Sequence, residues 1–340
     1  MINIINNNPD SNPSNIQLLK EITKDSYACF GLDNSFCIFT SVNNQLYIVY
    51  TNINFSIISY NLINNIAEIE IKKAHNEDIT NLRHFYDRIN NTDLILSVSF
   101  LDNDLKVWDL DNWECILNIK NINNIGNIKS ACFLYDNNQN YIISSNCSDN
   151  SNREPIKVFD LNGNKIKEIN DSCDDTIFID TYYDKKSSIN YILTGNNCFV
   201  KSYNYNENIV YHKYFDEKYY DQTCIIIKDF GDIIKLIESS GNGYIRIWDF
   251  HLGLLLNKIK ASEVYIYSMC LWSNDYLFVG SREKAILLIE LKSGTIIKKI
   301  ENNNKDIVTI KKINHPQYGE CLITKGKYDD QIKLWINNNT

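Results

Sequence analysis

The sequence repeats a unit of about 45 residues, a period typical of repeat architectures. The segment LIESSGNGYIRIWD, residues 236–249, has the pattern of a strand, a Gly-Asn-Gly turn and a second strand that ends in Trp-Asp. Segments of the same shape end at Asp109 and Trp335, and weaker copies fill the intervals. Aligning the copies gives seven equivalent positions that lie 41 to 51 residues apart: Tyr60, Trp108, Phe159, Tyr203, Trp248, Ile289 and Trp335.

Each unit contains four predicted strands. An apolar run precedes the strand pair, as in NIKSACFLYD, and a further short strand follows it, as in ECILNIK. Four antiparallel strands at this period resemble the blades of a WD-repeat β-propeller, whose signature includes the Trp-Asp dipeptide. The chain keeps that dipeptide at Trp108-Asp109 and Trp248-Asp249. The resemblance covers residues 15–338 and implies an all-β fold of seven four-stranded antiparallel blades.

The last unit stops after three strands, at QIKLWINNNT. An unpaired outer edge invites mispairing with other chains, and closing the ring removes that edge. The run IQLLKEI, residues 16–22, precedes the first complete unit and can supply the missing strand. We therefore predict a single propeller over residues 15–338, closed by its N-terminal strand, with residues 1–14 as a disordered leader rich in Asn, Ser and Pro.

The composition agrees with many short strands separated by turns. The 340 residues include 53 Ile and 50 Asn, and Ile favours strands whereas Asn favours turns. The Asn excess also has a genomic explanation, because Asn is encoded by AT-rich codons. A two-domain α/β enzyme would need helices of ten or more residues, and Asn, Ser and Gly interrupt almost every candidate window.

The charge and the cysteines indicate the class of protein. The chain has 34 Lys and Arg against 42 Asp and Glu, a net charge of −8, which argues against nucleic-acid binding and mildly favours partners with a basic face. Its ten cysteines are dispersed without a C-x-x-C pair and are predicted to be reduced thiols. Without a signal peptide or an apolar window of about 18 residues, we expect no membrane insertion and a cytoplasmic protein, with the nucleus as an alternative.

One unit carries a set of polar residues that could be catalytic or structural. The resemblance places His75, Asp102 and Trp108 in the family's structural tetrad, with Ser99 or Ser97 as the fourth member. A His-Asp-Ser set also suggests nucleophilic catalysis, but no G-x-S-x-G motif accompanies it. We predict the structural role. The other units lack a matching His, so we expect their blades to be held together by packing, with these residues at the Asp102 position: Asn54, Asn197, Asn242, Glu283 and Asp329.

The sequence predicts no cofactor, metal or catalytic site. The remaining histidines fall in different units without the spacing of metal ligands. Gly241-Asn242-Gly243 is too short for a phosphate-binding loop and is better explained as a hairpin turn. We therefore predict a protein that is not an enzyme.

Candidate partner-binding residues lie in segments between strands, where rigid blades would position them. The resemblance places the loops that join second to third strands, and outer to next inner strands, on one face around the channel mouth. The extended turn at residues 147–154 and the segment DEKYYDQ, residues 216–222, belong to that face. Trp113 and the run from Tyr182 to Lys186 are secondary candidates on the opposite face. The candidate residues are Asp149, Arg153, Glu154, Tyr219, Tyr220 and Trp113.

The function that follows is protein binding without catalysis. We predict a scaffold that docks a partner subunit or a protein segment, as a monomeric propeller within a larger complex. A reader that takes a peptide or modified tail at the channel mouth is the alternative. An enzyme with an unrecognised site is the alternative from a different class.

Overall fold

The computed structural model describes residues 13–22, 36–120, 122, 127–145, 155–170, 176–216, 221–301, 305–327 and 331–337. Within these ranges it contains 28 strands in seven sheets of four, and every strand pair is antiparallel. The predicted all-β, seven-bladed propeller is therefore confirmed. We number the blades along the chain, beginning with the first complete one.

Strand β1 (Ile16–Glu21) belongs to the last blade. Blade 1 comprises β2 (Phe36–Thr40), β3 (Leu46–Thr51), β4 (Ile57–Asn61) and β5 (Ile66–Ile71). Blade 2 comprises β6 (Ile79–Asp87), β7 (Thr92–Ser99), β8 (Asp104–Asp109) and β9 (Glu114–Lys120). Blade 3 comprises β10 (Ala131–Asp136), β11 (Gln139–Ser144), β12 (Ile156–Asp160) and β13 (Lys165–Ile169).

The remaining blades repeat this order. Blade 4 comprises β14 (Phe178–Asp184), β15 (Ile189–Gly195), β16 (Val200–Asn204) and β17 (Ile209–Tyr214). Blade 5 comprises β18 (Gln222–Asp229), β19 (Ile234–Ser240), β20 (Tyr244–Asp249) and β21 (Leu255–Lys260). Blade 6 comprises β22 (Ile266–Leu271), β23 (Tyr276–Ser281), β24 (Ala285–Glu290) and β25 (Ile296–Glu301). Blade 7 comprises β26 (Ile307–His315), β27 (Gly319–Gly326), β28 (Ile332–Asn337) and β1.

The first strand of each blade is the innermost and the fourth is the outermost. Strand β22 contacts the first strands of both neighbouring blades, β18 and β26, and β10 likewise contacts β6 and β14. Fourth strands such as β5 and β9 are mostly exposed, whereas β7 is buried along its whole length. Burial therefore increases from the outermost strand toward the middle strands of a blade.

Successive side chains of a strand pack alternately against the two neighbouring blades. In β23, Leu277 and Val279 pack in a cluster with residues of blade 5, while Phe278 packs toward blade 7. Successive residues of a strand point to opposite faces of its sheet, so a blade covered on both faces requires apolar residues at consecutive positions. The core is therefore a ring of interfaces between blades.

The N-terminal strand closes the ring as predicted. Strand β1 pairs with β28 as the fourth strand of blade 7, with Ile16 opposite Asn337 and Leu18 opposite Trp335. Ile16 is buried among residues of blades 6 and 7. Just before it, Pro13–Asn15 forms a 3-10 turn whose Ser14 carbonyl accepts a hydrogen bond from Lys298 Nζ. Residues 1–12 lie outside the described residues, so most of the predicted leader stays a prediction.

The segments between strands divide into two faces. We call turn face the end that carries the links from first to second strands and from third to fourth strands, for example 88–91 and 110–113 in blade 2. We call loop face the opposite end. Asn supplies the left-handed backbone that tight turns need: among the described residues seven of the twelve non-glycine residues with positive φ are Asn, including Asn91 and Asn103.

Polar contacts on the turn face join neighbouring blades. Asn140 Nδ2 of blade 3 donates to Asp87 Oδ1 of blade 2 at 2.7 Å, and Asn190 Nδ2 of blade 4 donates to Asp136 Oδ1 of blade 3 at 2.8 Å. Both asparagines are buried. Each bond therefore satisfies a buried amide group while it fixes the spacing of two blades.

The described part of the chain contains no helix that could span a membrane.

Candidate functional site

The most organised polar cluster lies in blade 2. His75 precedes β6, Ser97 lies on β7, and Asp104 and Trp108 lie on β8. His75 Nδ1 is 2.8 Å from Asp104 Oδ1, and His75 Nε2 is 2.7 Å from Ser97 Oγ. Trp108 Nε1 donates to the same Ser97 oxygen at 2.8 Å. Strand pairing brings together residues from three separate segments in one network.

The network assigns a direction to each proton. The indole N–H can only donate, so Ser97 Oγ accepts from Trp108 and donates its own proton to His75 Nε2. The imidazole then carries its proton on Nδ1 and donates it to Asp104. Trp108, Ser97, His75 and Asp104 therefore form one continuous chain of hydrogen bonds. A buried polar network in which every group has a partner stabilises a fold.

The serine of this network is Ser97, which corrects the prediction of Ser99. Both side chains point to the same face of β7 because they are two positions apart. Ser97 pairs with Lys106, and this position lies between Asp104 and Trp108 on β8. Ser99 is also buried, two residues nearer the turn that follows β7. Its hydroxyl has no hydrogen-bond partner among the described residues.

The carboxylate is Asp104, which corrects the prediction of Asp102. Asp104 begins β8 and lies on the same face as Trp108, whereas Asp102 lies in the preceding turn. Asp102 Oδ2 accepts the backbone N–H groups of Asn76 and Glu77 at 2.8 and 3.2 Å, and it is 3.9 Å from His75 Nδ1. Asp102 therefore anchors the segment that carries the histidine without contacting the ring directly.

The arrangement resembles two kinds of reactive site in its atoms but not in its surroundings. Ser97, His75 and Asp104 have the contacts of a hydrolytic triad. However, Ser97 and His75 are 0% and 1% exposed, and the serine oxygen already accepts the indole proton. His75, Asp102 and Asp104 also bring ligand atoms within 4.8 Å of one another. Hydrogen bonds within the blade account for this cluster, since His75 Nδ1 donates to Asp104.

Two further blades place a different acceptor at the position of Ser97. In blade 7, Trp335 Nε1 donates to Thr324 Oγ1 at 2.8 Å. In blade 5 the equivalent residue is Glu238, opposite Arg246 just as Ser97 is opposite Lys106. Among the three blades with a tryptophan at the aligned position, this position therefore holds a hydroxyl in two and a carboxyl in the third.

Glu238 changes the electrostatics of blade 5. Burial raises the pKa of its carboxyl to about 8, although the positive charge of Arg246 and the Trp248 indole oppose that shift. Arg246 Nη1 is 3.6 Å from Glu238 Oε1, and Arg246 Nε donates to Asp216 Oδ2 at 2.7 Å. Lys258 also contacts Asp216, and these two cations lower the pKa of the Asp216 carboxyl despite its partial burial. Blade 5 thus has a buried carboxyl beside an arginine where blade 2 has the hydroxyl of Ser97.

Blade 3, which lacks the histidine, is not held by packing alone, because Lys157 Nζ donates to the Ile122 carbonyl at 2.7 Å. In blade 2, Lys106 Nζ donates to the Ala74 carbonyl in the same way. Both carbonyls belong to segments of the loop face. The signal is visible in the sequence as a basic residue two positions before the Trp-equivalent residue in five of the seven units: Lys106, Lys157, Lys201, Arg246 and Lys333.

Most predicted partner-binding residues lie outside the described residues. This applies to Asp149, Arg153 and Glu154 between β11 and β12, and to Tyr219 and Tyr220 between β17 and β18. They stay predictions.

Trp113 is described, and it lies in the turn between β8 and β9 with a φ of 59°. Its ring is half-buried and packs against the cluster between blades 1 and 2 that contains Trp108. The contact explains an aromatic residue at this position, while the exposed part of the ring remains available to a partner.

A large concavity opens on the channel at the turn face, where the sequence predicts only secondary candidates. Its volume is about 1030 Å³, and inner strands β6, β10 and β14 form its walls. Tyr183, from the run Tyr182–Lys186, lies on its rim. A neighbouring cavity of about 450 Å³ lies between β2, β6 and β26 and shares Arg83 and His84 with the first.

In sequence comparisons the chain matches no protein-family model and no curated protein.

Proposed function

We propose that this chain is a non-catalytic WD-repeat propeller that docks a partner subunit or a protein segment. The observation that carries the proposal is the burial of the Ser97, His75 and Asp104 network. The most reactive-looking residues among those described serve the packing of a blade, while the closed ring leaves two faces for binding. The Trp-linked network of blade 2 also supports the WD-repeat assignment, because the family uses such a network structurally.

The mechanism is rigid presentation. Twenty-eight short strands and the contacts between blades fix the ends of every connecting segment. A partner then binds loops whose positions are already restricted, so less conformational entropy is lost on association. In this proposal the propeller is a cytoplasmic or nuclear monomer within a larger complex, without nucleic acid or cofactor.

A second candidate function is a peptide reader at the channel mouth. The cavity of about 1030 Å³ on the turn face favours it, because a concave site with aromatic walls and a few polar groups is the usual form of a ligand site. A scaffold would instead use a wide area of the loop face. The two functions therefore predict that substitutions at different residues weaken partner binding.

Affinity purification of the full chain under mild cross-linking, followed by native mass measurement, tests the proposal. We expect a stoichiometric protein partner added to the 39.6 kDa chain. Loss of that partner with Arg153→Glu, but not with Arg88→Glu, would indicate docking on the loop face, and the reverse would indicate the reader. A chain that stays monomeric, binds no protein and turns over a hydrolase or transferase substrate would contradict the proposal.

A further inference from the structure

Blade 5 carries a row of ionisable side chains across three adjacent strands. Strand register places Glu238 of β19 opposite Arg246 of β20, and Arg246 opposite Lys258 of β21. Directly opposite residues point to the same face of a sheet, so the three side chains lie side by side. The side chains of Glu238 and Arg246 are 2% and 3% exposed, whereas that of Lys258 is 35% exposed. The row therefore runs from the interior of the blade toward its surface.

A second carboxylate reaches this row from blade 4. Asp216 follows β17, the outermost strand of blade 4, at the start of the loop-face segment that leads to β18. Its Oδ2 accepts a hydrogen bond from Arg246 Nε at 2.7 Å and lies 2.5 Å from Lys258 Nζ. The contact between Arg246 and Asp216 therefore attaches the chain that leaves blade 4 to the third strand of blade 5.

Two carboxyl groups thus lie beside one buried guanidinium. Arg246 Nη1 is 3.6 Å from Glu238 Oε1, which is longer than a direct hydrogen bond, and it donates to Ser240 Oγ at 2.9 Å. Glu238 Oε2 is buried and has no hydrogen-bond partner among the described residues. In the observed arrangement Arg246 therefore bonds to Asp216 directly and faces Glu238 without a direct bond.

This arrangement agrees with a neutral Glu238. Burial raises the pKa of its carboxyl to about 8; the charge of Arg246 and the Trp248 indole oppose that shift, and the charge of Asp216 adds to it. Across β18 the residue opposite Glu238 is Ile225, which is uncharged. At neutral pH the proton on Glu238 therefore leaves the charge of Arg246 to Asp216.

Loss of that proton changes the balance between the two carboxyl groups. Ionised Glu238 places a negative charge beside Arg246 at a buried site, where a charge-assisted hydrogen bond is strong. Arg246 is then drawn toward Glu238, and Asp216 keeps its contact with Lys258. Because Lys258 is partly exposed, solvent screens that remaining pair and makes it a weaker attachment.

We propose that the proton on Glu238 controls the attachment of Asp216 to blade 5. With the proton present, Arg246 holds Asp216 and fixes the start of the loop-face segment. When the proton is lost in mildly alkaline solution, Arg246 turns to Glu238 and the attachment loosens. The sequence after Asp216 contains the predicted partner-binding residues Tyr219 and Tyr220. Docking there should therefore weaken as pH rises, and this consequence, unlike the attachment itself, rests on the proposed function.

Arginine-selective ¹⁵N labelling of the full chain follows Arg246 directly, since the chain has only five arginines. We expect its Nε–H signal, assigned with Arg246→Lys, to shift between pH 7 and pH 9 with a midpoint near pH 8. Hydrogen exchange in the peptide 210–216, corrected for the intrinsic effect of pH, should become about fivefold faster or more over this range. An exposed ion pair then replaces a buried charge-assisted hydrogen bond.

Variants assign the response to Glu238. Glu238→Gln stays neutral at every pH, so both the Arg246 signal and the exchange should be unchanged between pH 7 and pH 9. Asp216→Asn removes the negative charge that Arg246 holds, so exchange should be fast already at pH 7 and change little. Glu263→Gln is the matched control, because Glu263 is 86% exposed on the loop face between β21 and β22 and its loss should leave the response intact.

An unchanged Arg246 signal between pH 7 and pH 9 in the original chain would overturn the inference, and so would an equal response in Glu238→Gln. Both measurements use the chain alone and do not depend on a partner. Where a partner co-purifies, its retention should fall from pH 7 to pH 9 for the original chain and not for Glu238→Gln; equal retention would refute the consequence for docking. Absence of any partner would count against the proposed function and leave the attachment in place.

Discussion

Ser97 is the residue on which the blade 2 network depends. Its oxygen accepts the Trp108 indole proton, and its own proton satisfies His75. Removing the hydroxyl leaves two buried polar groups without partners, and each such group costs about 1–3 kcal/mol. The carboxylate contact of His75 would remain, but the ring would lose the bond that fixes its orientation.

We therefore expect Ser97→Ala to lower the free energy of unfolding by about 2–4 kcal/mol, because both the indole N–H and the imidazole lose a partner. Chemical denaturation followed by tryptophan fluorescence measures this change. Ser99→Ala is the control, because this hydroxyl is buried without a hydrogen bond to any described residue and should be lost almost without cost. Equal losses for the two variants would contradict the assignment.

The choice between these serines illustrates the limit of sequence reasoning at this scale. The pattern correctly associates His75, Trp108, a serine and an aspartate within one blade. Period-two alternation places Ser97 and Ser99 on the same face of a strand, so only the register with β8 decides between them. Asp102 and Asp104 are likewise two positions apart. The spacing of the repeat does not show at which of them the turn ends and β8 begins.

Blade 5 differs from blade 2 because it carries a buried carboxyl, that of Glu238, at the position of Ser97. The pKa of Glu238 lies near 8 in the folded chain, above its ordinary value of 4.5, because the carboxyl is buried. Between these two values the folded state retains a proton that the unfolded state has released. The contribution of Glu238 to stability therefore falls as pH rises through this window, by at most about 1.4 kcal/mol per pH unit.

Glu238→Gln removes this proton equilibrium while it keeps the size of the side chain. We expect the stability of the variant relative to the original chain to increase from pH 5 to pH 8. Melting temperatures of both proteins across this range measure the effect, with Glu70→Gln at an exposed position of β5 as the control. A difference that does not change with pH would show that Glu238 is ionised throughout and paired with Arg246.

Strand order and blade limits are the part of the fold that the sequence predicts best at this scale. Apolar runs, turn residues and the Trp-equivalent positions locate four strands in each unit, because each signal is local. The basic residue of the third strand was present in five units, yet its role depends on a carbonyl that lies more than 30 residues away, such as Ala74 for Lys106. Local patterns cannot identify that partner.

Closure of the ring sets the stability of the whole molecule. In blade 7 the N-terminal and C-terminal strands of the propeller are joined by the pairing of β1 with β28, where Gln17 lies opposite Ile336. Each blade otherwise packs against its neighbours, so an opened blade 7 would expose apolar surface of the last interface.

A disulfide between Gln17→Cys and Ile336→Cys tests this closure. We expect it to form on mild oxidation and to raise the melting temperature, since a cross-link across a very long loop contributes at most roughly 6 kcal/mol in the chain-entropy limit. Peptide mass spectrometry identifies the cross-link. The pair Gln17→Cys and Lys333→Cys, which is out of register, is the control, and equally ready cross-linking of that pair would contradict the observed pairing.

The number of blades and the closing strand follow from counting repeats, because the repeat period and the missing fourth strand are both visible in the sequence. The cavity on the turn face cannot be predicted by counting repeats. It is built from β6, β10 and β14 of three blades, whose residues are nearly 50 positions apart along the chain, as Phe85 and Phe133 are. Arg88 and Tyr183 share its rim only because the ring curves.

The pairing of Ile16 with Asn337 also imposes an order on biosynthesis. A ribosome adds roughly 5–20 residues per second, so β1 is complete roughly 15–60 seconds before its partner β28 exists. During that interval β1 has no strand of its own blade to join, and the earlier blades must assemble beside it. The step that makes the ring continuous is thus postponed until β28 has been synthesised, and until then the edge of blade 7 is exposed to chaperones or to other nascent chains.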